Sequence, residues 1–111
     1  MSIAHRHFNN LTPAELERLA ILSEEMGEAQ QAIGKIMRHG YQSCNPLRPV
    51  PEEENPATNQ DELEKELGDV MFAIQLMCRN LDVTRSGIDR RVTEKAKKIG
   101  RYLHHQHDWG L

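Results

Sequence analysis

Two segments of the chain carry the same arrangement of apolar, acidic and glycine residues. Residues 22–36, LSEEMGEAQQAIGKI, align without a gap with residues 63–77, LEKELGDVMFAIQLM. In both segments the apolar residues recur at steps of three and four, which is the spacing of one face of an α-helix. Core packing alone would not select matching acids and glycines, so we interpret the repeat as a duplicated helix. The identical pairs are Leu22/Leu63, Glu25/Glu66, Gly27/Gly68, Ala32/Ala73 and Ile33/Ile74, and the conservative pairs are Met26/Leu67 and Glu28/Asp69.

Composition supports a helical, soluble protein. Aromatic residues make up 5% of the 111 residues and charged residues 28%, a mixture that favours helices over sheets. The length fits a single domain, residues 1–111, with a core of about 12–106. The net charge of −3 is not concentrated in one half, which argues against a nucleic-acid partner. No apolar run suits a membrane span or a signal peptide, so we expect a cytoplasmic protein without a membrane partner.

Helix boundaries can be read from capping signals. Thr12-Pro13-Ala14-Glu15 has the spacing of a capping box, and Gly40 stops the pattern, so the first helix should run to about His39. Thr58 and Asp61 have the same spacing at the start of a second helix. Its apolar stripe consists of Leu63, Leu67, Val70, Ile74, Met77 and Leu81.

A third helix is predicted at about 85–106, and a long loop at 41–59. Ile88, Val92, Ala96, Ile99 and Leu103 mark one face of this helix. The loop contains four prolines and little periodicity, and such loops are uncommon in compact domains unless they are functional. Contact with a substrate and a solvated connector both remain open for it. The sequence therefore predicts an all-α fold.

The repeated acids point to a metal site. At about 100° per residue, Glu25 lies at the edge of the first apolar stripe and Glu28 about 60° further round, and Glu66 and Asp69 repeat this relation on the second helix. If the stripes pack together, four carboxylates converge. Clustered carboxylates repel one another and lose hydration that a cation can replace. Oxygen ligands without His or Cys favour Mg²⁺, with Mn²⁺ as a possible substitute, and Mg²⁺ commonly binds together with substrate phosphates. Solvated helix-face acids are the alternative.

The same residues resemble a known family. Glu24-Glu25-Met26-Gly27-Glu28 is similar to the EExxE motif, and Glu66-Leu67-Gly68-Asp69 to the ExxD motif, of MazG-like nucleoside triphosphate pyrophosphohydrolases. The resemblance extends over roughly residues 14–102. It implies an all-α helical bundle of the MazG type, and a hydrolase that cleaves a nucleoside triphosphate between its α- and β-phosphates to give a monophosphate and pyrophosphate.

The resemblance also implies roles for individual residues. Glu24 is the candidate for activating water, together with Glu25, while ions would neutralise phosphate oxygens and lower the pKa of a bound water. Phosphates also need positive charge, which is expected from the third helix and from the end of the first, where a substrate could reach. A solvated basic face is the alternative for the lysines of the third helix. Residues 93–99 resemble a family segment in which Lys, Asn and Arg or Lys contact phosphates. Ala96 stands where that segment has Asn. The predicted metal ligands are Glu25, Glu28, Glu66 and Asp69, and the predicted phosphate-binding residues are Lys35, Arg38, Lys95 and Lys98.

Three other interpretations compete with this one. A ferritin-like bundle calls for Glu-x-x-His motifs, and neither acidic pair contains a histidine. A phosphoribosyl-ATP pyrophosphohydrolase belongs to the same superfamily and would bind metal through the same kind of carboxylate cluster. A non-catalytic helical interaction module, with acids that only solubilise it, is the alternative from a different class.

Three helices would leave apolar surface uncovered, notably around Met71, Phe72 and Met77. We therefore expect a homodimer or homotetramer in which oligomerisation completes four-helix units. The sequence leaves open the number of metal ions and the base and sugar of the substrate. Deoxyguanosine and deoxycytidine triphosphates are among the candidate substrates.

Overall fold

The computed structural model describes residues 8–44 and 56–110, and it is helical throughout its regular structure. No strand occurs within these ranges, which confirms the predicted all-α class. Residues 45–55, most of the predicted loop, lie outside the described part. The helices are α1 (Pro13–His39), α2 (Asn59–Arg79) and α3 (Arg85–Lys98), followed by a short 3₁₀ helix at Ile99–Tyr102.

The chain forms two compact units. The first spans Met1–Leu76 and contains α1 and most of α2, and the second spans Met77–Leu111 and contains α3. The predicted single domain at residues 1–111 stays a prediction. The acidic residues of the sequence repeat all belong to the first unit.

Both long helices begin at the capping boxes that the sequence indicates. Thr12 Oγ1 accepts a hydrogen bond from the Glu15 backbone N–H at 3.1 Å, and Glu15 Oε1 accepts one from the Thr12 N–H at 2.8 Å. Thr58 and Asp61 make the same reciprocal pair at 3.1 and 2.9 Å. These bonds satisfy N–H groups that have no partner within the helix, so each boundary is fixed locally.

The two ends of the long connection are joined by hydrogen bonds. The Asn59 and Gln60 N–H groups donate to the carbonyl oxygens of Ser43 and Tyr41 at 2.8 and 2.9 Å, and Asn59 Nδ2 donates to the Gly40 carbonyl at 3.1 Å. Asn59 is buried, so its amide needs such a partner. Because the end of α1 is thereby held beside the start of α2, the two helices form an antiparallel hairpin.

The hairpin packs closely through small side chains. Ala29 and Ala32 of α1 and Ala73 of α2 are buried, with Ala73 only 1% exposed. Met77 is also buried, at 6% exposed, so the prediction that it lies on uncovered surface was wrong, whereas Met71 and Phe72 are each 59% exposed. Alanines leave room for the longer acidic side chains beside them to reach from one helix to the other.

The end of α2 departs from the predicted stripe at Leu81. The helix ends at Arg79, and Leu81 adopts a φ of 61° with its side chain 81% exposed. Its N–H donates to the Cys78 carbonyl at 3.1 Å, and the Asp82 N–H donates to the Met77 carbonyl at 3.0 Å. These two bonds form the left-handed C-terminal motif usually built with glycine. Leu81 thus belongs to a helix cap rather than to the apolar face.

The third helix is shorter than predicted. The α-helix ends at Lys98 rather than near residue 106, and the chain tightens into the 3₁₀ turn. Gly100, a poor helix former, lies in this turn, and a Cβ there would approach the ring of Trp109 to 2.7 Å. The ring of Trp109, in the returning tail, therefore packs directly against Gly100.

Candidate metal centre

The hairpin brings four carboxylates together. Oxygen atoms of Glu25 and Glu28 on α1 and of Glu66 and Asp69 on α2 all lie within 4.8 Å of one another. We call these four residues the acidic cluster. Each helix contributes an i, i+3 pair, because residues three apart lie one above the other on the same side of a helix.

Two oxygen atoms of the acidic cluster are buried without a hydrogen-bond donor. With the acids ionised, Glu25 Oε2 and Glu66 Oε2 have no hydrogen-bond partner among the described residues. The Glu66 side chain is 13% exposed, whereas that of Asp69 is 44% exposed. Buried carboxylate oxygens normally have partners, and leaving one without a donor costs free energy. These two atoms therefore indicate a missing positive charge.

The raised pKa of Glu28 also indicates that the acidic cluster lacks positive charge. A hydrogen bond with Glu66, which requires a shared proton, raises the pKa of Glu28 above its ordinary value. The charges of Glu25 and Glu66, partial desolvation and the charge of Glu24 act in the same direction. Repulsion among the acids thus makes the ionised form of Glu28 less favourable than that of an isolated glutamate. A divalent cation would offset this repulsion.

A lysine that the sequence interpretation missed lies against the acidic cluster. Lys65 Nζ is 3.3 Å from Glu66 Oε1 and 3.4 Å from Asp69 Oδ2. The hydrogen bond to Glu66, followed by the charges of Glu66 and Asp69, raises the pKa of Lys65. The available signal was the i, i+4 spacing of Lys65 and Asp69, a common arrangement on exposed helix faces that does not by itself indicate a site.

An open cleft of about 320 Å³ lies beside the acidic cluster, between α1 and α2. It is mostly polar, and it exposes two carboxylates of the cluster along with one lysine from each helix. Groups of both signs in one cleft suit a ligand that carries phosphates together with cations. The lining residues are Glu28, Gln31, Ala32, Lys35, Asn59, Glu62, Lys65 and Glu66.

The remaining predicted site residues differ in their relation to this cleft. Lys35 lines it, whereas Arg38 is exposed in the last turn of α1 and is not among its lining residues. Glu24 is exposed, and its charge reaches Glu28. Lys95 and Lys98 belong to the second unit, where they line a separate concavity of about 370 Å³. Their part in phosphate binding stays a prediction.

The acidic cluster fits a hard divalent cation. All of its donors are carboxylate oxygens, two of them are buried without a partner, and no His or Cys belongs to it. Mg²⁺ takes oxygen ligands and keeps several waters, so a group that is open on the Asp69 side suits it better than a transition metal. The acids alone would be ordinary surface charges. The buried oxygens without a donor distinguish this cluster from them.

Comparison with known families agrees with this geometry. The family model described as the MazG nucleotide pyrophosphohydrolase domain matches residues 14–105. The chain therefore belongs to the MazG family. The match covers α1, α2 and α3, and the all-helical structure is consistent with the MazG fold. Membership supports a nucleotide pyrophosphohydrolase activity in general, and the MazG family generally depends on divalent metals.

The other two comparisons give no match for this MazG domain. Neither a curated protein nor a solved structure matches the chain. Within the described part of the chain, no helix combines the length and apolarity that crossing a bilayer requires.

Proposed function

We propose that this MazG domain is a Mg²⁺-dependent nucleoside triphosphate pyrophosphohydrolase. It cleaves ribo- or deoxyribonucleoside triphosphates between the α- and β-phosphates and releases a monophosphate and pyrophosphate. The observation that carries the proposal is the convergence of four carboxylates within 4.8 Å beside a cleft that two lysines and three carboxylates line. Acids packed so closely repel one another unless positive charge joins them, and a nucleotide with its bound cations supplies that charge.

The acidic cluster holds the metal. Glu25, Glu28, Glu66 and Asp69 are the ligands, with Mn²⁺ as a possible substitute for Mg²⁺. When bound, the metal supplies neutralisation of phosphate charge and a lowered pKa for water. The ligands come from two helices of one hairpin, so their positions are set by the packing around Ala32 and Ala73 rather than by a loop.

Charged residues around the cluster orient the substrate and water. Lys35 lines the cleft and binds a phosphate oxygen, and Arg38, one turn further along α1, reaches the remainder of the nucleotide. Glu24 accepts a proton from the attacking water or orients it, a role that its exposed position beside Glu28 permits. Lys95 and Lys98 contribute further phosphate contacts.

A substrate panel tests the proposed reaction. Purified protein with Mg²⁺ should convert at least one ribo- or deoxyribonucleoside triphosphate to monophosphate and pyrophosphate, as measured by chromatography and ³¹P NMR. The reaction should stop when the metal is chelated. Release of inorganic phosphate instead of pyrophosphate would place the cleavage at another bond and contradict the proposal.

The panel includes phosphoribosyl-ATP and a Glu66→Gln variant. Glu66→Gln should be inactive, because it removes one ligand charge from a buried part of the cluster. If folded wild-type protein turns over only phosphoribosyl-ATP, that substrate replaces the nucleoside triphosphates. If it turns over nothing, the non-catalytic interaction module becomes the better explanation.

We also propose that the protein is a homodimer or homotetramer. Five large apolar residues of α1 are at least 40% exposed, and they fall on one side of the helix at mostly three-, four- and seven-residue steps. A soluble monomer rarely exposes such a continuous apolar face. Light scattering should therefore give at least twice the monomer mass of 12.8 kDa, and a stable, active monomer would refute the assembly. The residues are Leu16, Leu19, Met26, Ile33 and Met37.

A further inference from the structure

We infer that Lys65 is a built-in counter-ion of the acidic cluster, which competes with divalent cations and, once they are bound, contacts the phosphates of the substrate. This inference rests on the proposed function and adds a residue to its site. Its basis is the position of the Lys65 ammonium group, between the two ligands that α2 contributes and within the lining of the cleft.

The first step is that Lys65 partly neutralises the cluster in the metal-free protein. Its Nζ lies 3.3 Å from Glu66 and 3.4 Å from Asp69, so one ammonium group serves two carboxylates. Those carboxylates also face Glu25 and Glu28 within 4.8 Å. One positive charge is fewer than four acids require, which agrees with the raised pKa of Glu28 and with the unpartnered oxygen on Glu66.

The second step is that a divalent cation competes with Lys65 for the same two carboxylates. A cation bound by Glu66 and Asp69 would lie close to the ammonium group that now contacts both of them, and positive charges at such a separation repel each other. The Lys65 side chain is 64% exposed and ends a flexible four-carbon stem. Exposed ion pairs are weak, so the exchange meets little resistance.

The third step concerns where the ammonium group goes. Lys65 and Lys35 line the same cleft from different helices, and the cleft also contains the Glu28 and Glu66 carboxylates. Both lysines would be available to the oxygens of a triphosphate that bound in this cleft together with cations. An ammonium group released from the acids therefore finds a new negative partner. Metal binding and phosphate binding become linked through one side chain.

The test measures binding of Mg²⁺ alone and of inorganic triphosphate, so it does not depend on activity or on the unidentified base. By calorimetry, Lys65→Gln should bind Mg²⁺ about two- to fivefold more tightly than wild type, because a competitor has been removed. In saturating Mg²⁺ it should bind inorganic triphosphate about three- to tenfold more weakly. Its melting temperature without metal should fall, since the acids lose their counter-ion.

Two further variants separate this role from general charge and from structural support. Lys65→Arg keeps a positive charge and should retain Mg²⁺ affinity close to wild type. Lys35→Gln removes the other cleft lysine, for which no ion pair to the cluster is seen among the described residues, and should weaken triphosphate binding without tightening Mg²⁺ binding. A lysine that only stabilised the helix would lower the melting temperature of Lys65→Gln and leave its Mg²⁺ affinity unchanged, which would overturn the inference.

The outcomes distinguish the inference from the proposed function. If wild type neither binds Mg²⁺ nor hydrolyses any nucleotide, the proposed function fails, and the inference fails with it. If wild type binds Mg²⁺ and releases pyrophosphate, but Lys65→Gln binds Mg²⁺ no more tightly, only the competition by Lys65 is refuted. Unchanged triphosphate affinity in Lys65→Gln would refute the phosphate contact.

Discussion

Glu25→Gln and Asp69→Asn are each expected to lower kcat/KM by about 10³-fold or more while leaving the helical content unchanged. Each substitution keeps the shape of the side chain and removes one negative charge from the acidic cluster. Because the four carboxylates lie within 4.8 Å, losing one charge weakens the binding of any shared cation. Steady-state kinetics with the best nucleotide of the panel, together with circular dichroism, would measure both effects.

Glu64→Gln is the matched control for these variants. Glu64 is an exposed acid on α2, two residues before Glu66 and therefore about 200° around the helix from it. This change alters the net charge by the same amount but leaves the cluster intact, so activity should stay within about twofold of wild type. Full activity in both Glu25→Gln and Asp69→Asn would refute the assignment of the acidic cluster as the metal site.

Local sequence signals were sufficient to predict the helix starts and the convergence of the acids. The capping boxes at Thr12 and Thr58 depend on residues three apart, so their hydrogen bonds could be inferred without knowledge of the tertiary structure. The angular positions of Glu25 and Glu66 beside apolar stripes indicated that they would face each other if the helices paired. That pairing was an assumption, which the antiparallel hairpin satisfies.

Features that depend on tertiary packing could not be inferred in this way. Lys65 contacts Glu66 and Asp69 on its own helix at an ordinary helical spacing, and only the approach of the two α1 acids makes those partners part of a site. Trp109 returns from nine residues further along the chain to lie against Gly100, a contact that no local sequence signal indicates. Met77 is buried, although uncovered surface was expected around it. Leu81 has the periodicity of the same apolar stripe, yet it lies beyond the helix end in a left-handed turn.

Glu25→Gln is also expected to make the metal-free protein more stable. Glu25 Oε2 is buried without a donor, and the charge of Glu25 contributes to the raised pKa of Glu28, so the wild-type residue adds repulsion that the fold must tolerate. A glutamine removes this charge and offers an amide N–H to a neighbouring carboxylate. Sites built for function often reduce stability in this way.

Calorimetry in the presence of a chelator should show a melting temperature about 2–5 °C above that of wild type for Glu25→Gln, and no change for Glu64→Gln. Addition of Mg²⁺ should then raise the melting temperature of wild type and of Glu64→Gln, because a ligand that binds only the folded state stabilises it, and should have little effect on Glu25→Gln. The order of stabilities would thus reverse between the two conditions. A Glu25→Gln protein less stable than wild type without metal would mean that the buried carboxylate is satisfied by its surroundings, and the argument that the acidic cluster requires a cation would lose its main support.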